Sequence, residues 1–191
     1  MGFGGGVGTA DSAIDTGVAY ADSADTVDTP FAGDTADTVD TSQLDDANRW
    51  VLYAVRHAEK EEEGDDPALT AEGAARAEAL AVRLADVPLV TIYATDLLRT
   101  QQTVQPTAVD HALPVVIDVE PEQELADLLL SAHLGDAVLH AGHSYTLPGL
   151  FYALNAEEVD VDGYGQMWVV TGDATGALQV VEEFVGEEST E

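Results

Sequence analysis

The chain has 191 residues, of which 46% are hydrophobic, and 37 acidic against 6 basic side chains give a formal net charge of −31. This length and apolar content are typical of one globular domain with a flanking segment. The charge argues against binding to nucleic acid or to an anionic membrane surface, because both would repel the protein. The chain contains no cysteine, which excludes disulfide bonds and thiolate chemistry.

The sequence also bears on location. No stretch approaches the roughly 20 consecutive apolar residues of a membrane span. The first residues lack the basic start and apolar run of a secretory signal peptide, and the first basic residue is Arg49. We therefore expect no membrane insertion, and a soluble protein that is either cytoplasmic or exported by a signal outside this sequence. The sequence does not indicate an oligomeric state.

Residues 1–48 differ in composition from the rest of the chain. They contain ten Asp, no Glu and no basic residue, and the hexapeptide Ala-Asp-Thr-Val-Asp-Thr at 24–29 recurs at 36–41. Few apolar side chains and strong like charge do not offset the entropy lost on ordering. The composition predicts a disordered Asp/Thr-rich tail at 1–48, followed by a folded domain at 49–188.

From residue 49 onward, strand patterns alternate with helix patterns. The near-continuous apolar run at 50–55 is typical of a strand buried on both faces. A helix is predicted over about 70–85, with Glu72 and Arg76 expected to pair on its exposed face. The later elements are a strand at 89–93, a helix from about 97 that Pro106 should end or kink, a strand at 115–119, a helix at 122–132, a strand at 136–141, a helix at 147–154, and a hairpin of 167–171 with 177–185. Repeated strand–helix units imply an α/β fold in which a mostly parallel sheet lies between helices.

Two arginines and two histidines lie where the predicted parallel strands end. Arg56 and His57 end the first strand, Arg99 follows the second, and His143 follows the fourth. Ligands of such sheets bind outside the carboxyl ends of the strands, so we expect these side chains to meet. Guanidinium groups match phosphate oxygens, a neutral imidazole can attack phosphorus, and a second imidazolium can stabilise the transferring oxygens. The pattern predicts a pocket for a phosphoryl group.

Other interpretations of these residues are open. Taken alone, Arg56 and His57 would fit a strand end paired with surface carboxylates, and Arg99 a solvated helix position. His140 and His143 form an H-x-x-H pattern that can indicate zinc. Residues three apart in a strand point to opposite faces, so we expect no metal site there.

Four segments, in order, carry a family resemblance. They are 55–60 (Val-Arg-His-Ala-Glu-Lys), 69–77 (Leu-Thr-Ala-Glu-Gly-Ala-Ala-Arg-Ala), 92–103 (Ile-Tyr-Ala-Thr-Asp-Leu-Leu-Arg-Thr-Gln-Gln-Thr) and 138–144 (Val-Leu-His-Ala-Gly-His-Ser). Together they resemble the motifs of the histidine phosphatase (phosphoglycerate mutase-like) superfamily over about residues 50–185. The short form and the Arg-His-Ala-Glu-Lys start resemble its small phosphohistidine phosphatases. The resemblance implies a three-layer α/β/α sandwich and no metal or organic cofactor.

The resemblance also implies roles for the residues at the strand ends. By it, His57 is the catalytic nucleophile, which becomes a covalent phosphohistidine. Arg56 and Arg99 bind the phosphate, and His143 completes the catalytic pocket.

Some positions depart from the family pattern or stay open. Ala94 stands where serine is usual, although the threonine that follows can supply a hydroxyl, and Tyr145 stands where asparagine is common. The general acid is open, because members of the family often place an acidic residue after the third strand. Glu120, Glu122 and Glu124 compete for that role here, and Glu120 is preferred.

The predicted activity is hydrolysis of a phosphomonoester, or of a protein phosphohistidine, in two steps through His57. The partner is therefore a phosphorylated small molecule or a phosphoprotein. A phosphoglycerate-type mutase is the nearer alternative, but about 140 ordered residues leave little room for the cap insertions that would retain its intermediate. The other alternative is a non-catalytic phosphate-binding or interaction module that has lost its general acid.

Overall fold

The structure is a computed structural model, and it describes residues 48–117 and 122–189, with side chains described up to residue 186. The predicted disordered tail lies outside the described residues, except for Asn48. Glu120 and the end of the third predicted strand, at 118–119, lie outside them as well.

The described residues build a six-stranded mixed sheet with the strand order β3-β2-β4-β1-β5-β6. β1 pairs in parallel with β4, and β2 pairs in parallel with both β4 and β3. β5 pairs antiparallel with β1, and β6 pairs antiparallel with β5. The strands are β1 (Arg49–Arg56), β2 (Leu89–Ala94), β3 (Val115–Ile117), β4 (Ala137–Gly142), β5 (Tyr164–Asp173) and β6 (Leu178–Ser189).

Helices cover both faces of the sheet, and the side chains of β1 alternate between the two cores as the strand period requires. One face packs Val51, Tyr53 and Val55 against α1 and α2, and the other packs Trp50, Leu52 and Ala54 against α3 and α4. The helices are α1 (Ala71–Leu84), α2 (Leu98–Asp110), α3 (Glu122–Ser131) and α4 (Leu147–Ala153). The predicted three-layer α/β/α sandwich is confirmed.

A local signal in the sequence accounts for the start of α1. The hydroxyl of Thr70 accepts a hydrogen bond from the backbone N–H of Gly73, 3.1 Å away, and so caps α1. Pro106 lies inside α2, which continues to Asp110, so the proline does not end this helix. Within the described ranges, none of the helices combines the length and apolar character needed to cross a lipid bilayer.

The expected Glu72–Arg76 pair on the exposed face of α1 is wrong. Arg76 is only 7% exposed, because it lies on the helix face that also buries Ala77 and Leu80. Its guanidinium binds the carboxylate of Glu59 instead, in the segment that follows β1. Burial of the helix face therefore prevails over the local i,i+4 pairing.

Candidate active site

The carboxyl ends of β2, β4 and β1 lie side by side, because β4 is between the other two strands. Thr95 follows β2, His143 follows β4 and His57 follows β1. The ring centroids of His57 and His143 are 5.3 Å apart, with the rings inclined at 63°. Both rings are buried, at 4% and 2% exposure. This edge of the sheet therefore holds a paired imidazole site.

Backbone and helix contacts fix the position and the tautomer of His57. Its backbone N–H donates to the carbonyl of Gly142 at 3.0 Å, and the next N–H, of Ala58, donates to the hydroxyl of Thr103 in α2 at 2.9 Å. The ring Nδ1 lies 2.8 Å from the carbonyl oxygen of Ala58. Because a carbonyl only accepts, Nδ1 carries the proton and the lone pair of the neutral ring is on Nε2.

The turn after β4 places His143, and it requires glycine at position 142. A Cβ at Gly142 would lie 2.9 Å from the hydroxyl oxygen of Thr146. That hydroxyl accepts the backbone N–H of His143 at 2.9 Å, although Thr146 makes no side-chain cap bond to α4. The ring of Tyr145, which is 69% exposed, stacks on His143 at 4.9 Å between centroids. Tyr145, at the position where the family pattern has asparagine, therefore covers one face of the His143 ring.

A chain of hydroxyl groups holds the other side of His143. Its Nε2 lies 2.9 Å from the hydroxyl oxygen of Thr95, which lies 2.8 Å from that of Thr100. Thr100 in turn donates to the carbonyl of Leu97 at 2.7 Å. With Thr100 donating to the backbone, Thr95 donates to Thr100 and accepts the Nε2 proton of His143. The neutral ring then has its lone pair on Nδ1.

Arg99 lies in the first turn of α2. The carboxylate of Asp66 accepts the backbone N–H of Leu98 at 2.9 and 3.1 Å, so it anchors the helix start, and it lies 3.9 Å from the Arg99 guanidinium. The Nε of Arg99 and the Nδ1 of His143 are buried and have no hydrogen-bond partner among the described residues. Buried polar atoms are nearly always paired in native proteins. A phosphate oxygen is a suitable partner for the Nε–H of Arg99, and for Nδ1 of His143 once that nitrogen is protonated.

Arg56 lies on the opposite side of His57. Its guanidinium carbon is 4.3 Å from the centroid of the Tyr164 ring, and that ring lies 5.8 Å from the ring of His57. Arg56 also donates to the carbonyl of Gly163 at 3.4 Å. The Arg56 guanidinium therefore stacks on an aromatic ring that also lies beside His57.

Burial and the neighbouring cations keep both imidazoles neutral. Burial lowers the pKa of His57 to about 4, and the charges of Arg99 and Arg56 lower it further against the raising effect of the hydrogen bond to Ala58. Burial likewise lowers the pKa of His143 to about 4, with His57 and both arginines adding to the effect. Both rings are therefore neutral in the ligand-free pocket at neutral pH, and the expected imidazolium beside a bound phosphoryl group stays a prediction.

The candidate general acids are in different situations. Glu124 is exposed at the start of α3. The side chain of Glu122 lies against Gly149 of α4, with its Cδ 3.4 Å from where a Cβ at that glycine would be. Glu120 lies outside the described residues, so its assignment stays a prediction.

Three residues around the site were missed by the sequence reasoning. Tyr164 falls before the predicted start of its strand, and nothing in the sequence indicated that Asp66 would bind the start of α2. The Glu59–Arg76 pair had a usable signal, because Arg76 shares the apolar stripe of α1 and is buried with it. Within the described residues, no group of three or more His, Asp or Glu side chains is placed to hold a metal ion.

The fold and the site define an α/β protein with two arginines and two histidines gathered at the carboxyl edge of its sheet. The model of the histidine phosphatase superfamily (branch 1) matches residues 52–145, which include Arg56, His57, Arg99 and His143. Over residues 52–145 the chain is therefore similar to the histidine phosphatase superfamily. No curated protein matches the sequence significantly.

Solved structures with similar folds include two that are described as phosphatases. The protein histidine phosphatase SixA, complexed with tungstate, has a TM-score of 0.60 at 18% identity, over 70% of this chain and 96% of that one. Bacillus stearothermophilus YhfR has a TM-score of 0.59 at 18% identity, over 72% and 98%. The mycobacterial glucosyl-3-phosphoglycerate phosphatase has a TM-score of 0.55 at 13% identity, over 72% and 98%. At these identities, the similarity establishes the fold.

Proposed function

We propose that this protein hydrolyses a phosphorylated substrate through a covalent phosphohistidine at His57. The observation that supports this most strongly is the state of His57. Its Nδ1–H is held by the carbonyl of Ala58, its Nε2 has a free lone pair, and its pKa of about 4 keeps it neutral across the physiological range. A neutral, oriented imidazole beside guanidinium groups has the properties of a nucleophile for phosphoryl transfer.

The proposed reaction has two displacements at phosphorus. In the first, Nε2 of His57 forms a bond to phosphorus while the bond to the leaving group breaks, and an acid protonates that leaving group. In the second, water attacks the phosphohistidine, the phosphorus–nitrogen bond breaks, and inorganic phosphate leaves with Nε2 restored. Arg56 and Arg99 balance the charge of the equatorial oxygens in both steps.

In the proposed reaction, binding of phosphate is coupled to protonation of the His143 ring. In the free pocket its ring is neutral, with a proton on Nε2 and a lone pair on Nδ1. A phosphate dianion beside Nδ1 favours the protonated ring, so binding takes up one proton there, from solvent or from a monoanionic substrate. The resulting imidazolium donates from Nδ1 to a phosphate oxygen and from Nε2 to Thr95.

Both substrate classes are compatible with the site. The structural neighbours include a protein histidine phosphatase and a phosphatase of a small phosphorylated glycoside. A phosphohistidine substrate needs little help from a general acid, because a neutral imidazole is a better leaving group than an alkoxide. A phosphate ester of an alcohol needs a protonating group, for which Glu120, Glu122 and Glu124 stay the candidates, with Glu120 preferred. Mutase activity and a non-catalytic role stay alternatives with no contact in the site that favours them.

Phosphate release from a panel of substrates tests the proposal. The panel contains aryl and alkyl phosphates and a phosphohistidine peptide, and it is run at low and high salt, because the net charge of −31 repels anions at long range. His57→Asn should abolish release. His111→Asn is the matched control, since that imidazole binds the Leu84 carbonyl at 3.1 Å, at the other end of α2. Full activity of His57→Asn would reject the mechanism.

A further inference from the structure

A buried ion pair lies directly behind the segment that carries His57. Glu59 and Arg76 are 8% and 7% exposed. The Nε of Arg76 lies 3.0 Å from both carboxylate oxygens of Glu59, and its Nη2 lies 2.5 Å from Oε1. Glu59 follows His57 by two residues, whereas Arg76 lies on α1. The pair therefore joins the first helix to the segment after β1.

The same guanidinium also contacts the far side of the pocket. Its Nη1 donates to the carbonyl of Val185 in β6 at 2.6 Å. The β5–β6 register shifts between Tyr164 and Gln166, and Gly165 between them has a φ of +90°. A Cβ at Gly165 would collide with Nη1 of Arg76, so glycine is required for both the backbone conformation and the space. Arg76 thus fills the irregularity in the sheet that immediately follows Tyr164.

We propose that Glu59 and Arg76 are positioning residues, which hold the His57 segment and the Tyr164 segment in fixed relation across the pocket. Tyr164 contacts both the His57 ring and the Arg56 guanidinium. Arg76 therefore binds the backbone segment next to Tyr164 and, through Glu59, the segment next to His57. This inference rests on the proposed function for its effect on turnover. Its effect on the geometry of the pocket does not depend on turnover.

Positioning matters because in-line attack on phosphorus tolerates only a small displacement of the reacting atoms. The reacting atoms must be held close to contact distance, and a displacement of about 1 Å can lower the rate by about 100-fold. Glu59 has no direct role in this attack, because its carboxylate is engaged by Arg76. Loss of the pair should therefore lower kcat more than it raises KM. It should also raise the pKa of His57 from about 4, because a loosened segment admits water to the ring.

The test removes both charges together. Single substitutions would leave one buried charge without its partner and would be expected to unfold the protein. The double variant Glu59→Met with Arg76→Met removes both charges of the pair and keeps an unbranched apolar side chain at each position. A matched control is Arg83→Met with Glu183→Met, which removes an ion pair of 2.7 Å between the same helix, α1, and β6, the strand that Arg76 contacts through the Val185 carbonyl.

Two measurements are made on both double variants and on the unchanged protein: steady-state kinetics, and NMR titration of the His57 ring. We expect a folded Glu59/Arg76 variant with kcat lowered about 100-fold and a raised His57 pKa, and a control variant with neither change. A folded Glu59/Arg76 variant with unchanged kcat and unchanged His57 pKa would overturn the proposal.

The experiment remains decisive if the double variant does not fold or if the unchanged protein is inactive. If the double variant does not fold, Arg76→Lys replaces it, because a lysine keeps the charge but cannot bind Glu59 and Val185 at once, and the same two readouts apply. If the unchanged protein releases no phosphate, the proposed function fails, and the NMR titration alone decides whether the pair positions His57.

Discussion

The neutral state of His57 makes a prediction about the acid limb of the pH–rate profile. The profile of kcat/KM reports the ionisation of the free enzyme, and the nucleophile must be unprotonated. An ordinary imidazole has a pKa of 6.5, whereas burial and the two arginines lower the pKa of His57 to about 4. Activity should therefore persist well below the pH at which an exposed histidine would be protonated.

The size of the effect follows from the two pKa values. At pH 5, a ring with a pKa of about 4 is about 90% neutral, whereas one at 6.5 is about 3% neutral. The difference is about 30-fold in the concentration of active enzyme at that pH. Arg99→Met removes a charge that lowers this pKa, so the acid limb of that variant should move to higher pH.

The assay is the initial rate of phosphate release between pH 3.5 and 8, with circular dichroism at each pH to show that the protein is folded. The second ionisation of the substrate, near pH 6, gives a separate limb, and that limb should not move in Arg99→Met. An acid limb with its midpoint between pH 6 and 7 that stays in place when the substrate is exchanged for one with a different second pKa would refute the reasoning about burial.

Three further predictions concern the acid, the nucleophile segment and stability. Glu120→Gln should slow the hydrolysis of an alkyl phosphate by about 100-fold or more, whereas hydrolysis of 4-nitrophenyl phosphate, which has a good leaving group, should change little. Equal effects on both substrates would argue against an acid role for Glu120. Thr103→Val leaves the N–H of Ala58 unpaired, so chemical denaturation should show a loss of about 1–3 kcal/mol, and a loss below this range would contradict the assigned bond. Burial lowers the pKa of His140 to about 4, so its contribution to stability is present above pH 6.5 and is lost as the pH falls towards 4. His140→Leu should reduce that pH slope by about 1.4 kcal/mol per unit in unfolding titrations, and an unchanged slope would contradict this.

The sequence predicts those parts of the fold that depend on the residue pattern of a single short segment. The apolar run of β1 and the periodic face of α1 identify their elements without tertiary information, and the parallel topology follows from their alternation. Convergence of Arg56, His57 and His143 at one edge then follows from a general property of parallel sheets.

Other features depend on contacts between segments that are distant in the chain. Arg76 has an acidic residue at i−4 and another 17 positions away, and only burial of the helix face decides between them. Tyr164 is part of the site because β5 begins earlier than its apolar pattern suggests and lies next to β1. The lowered pKa of His143 could not be predicted from the sequence either, because the burial of the ring and the cations near it depend on the folded structure.

The covalent phosphohistidine is the central claim, and trapping it is the most direct measurement. The protein is mixed with a labelled phosphomonoester, quenched within milliseconds, and mapped by mass spectrometry under alkaline conditions that preserve phosphohistidine. The account predicts one phosphoryl group on His57, formed and lost at rates that match turnover, and none on His57→Asn. Normal turnover without a label on His57, or a label on a different side chain, would contradict it.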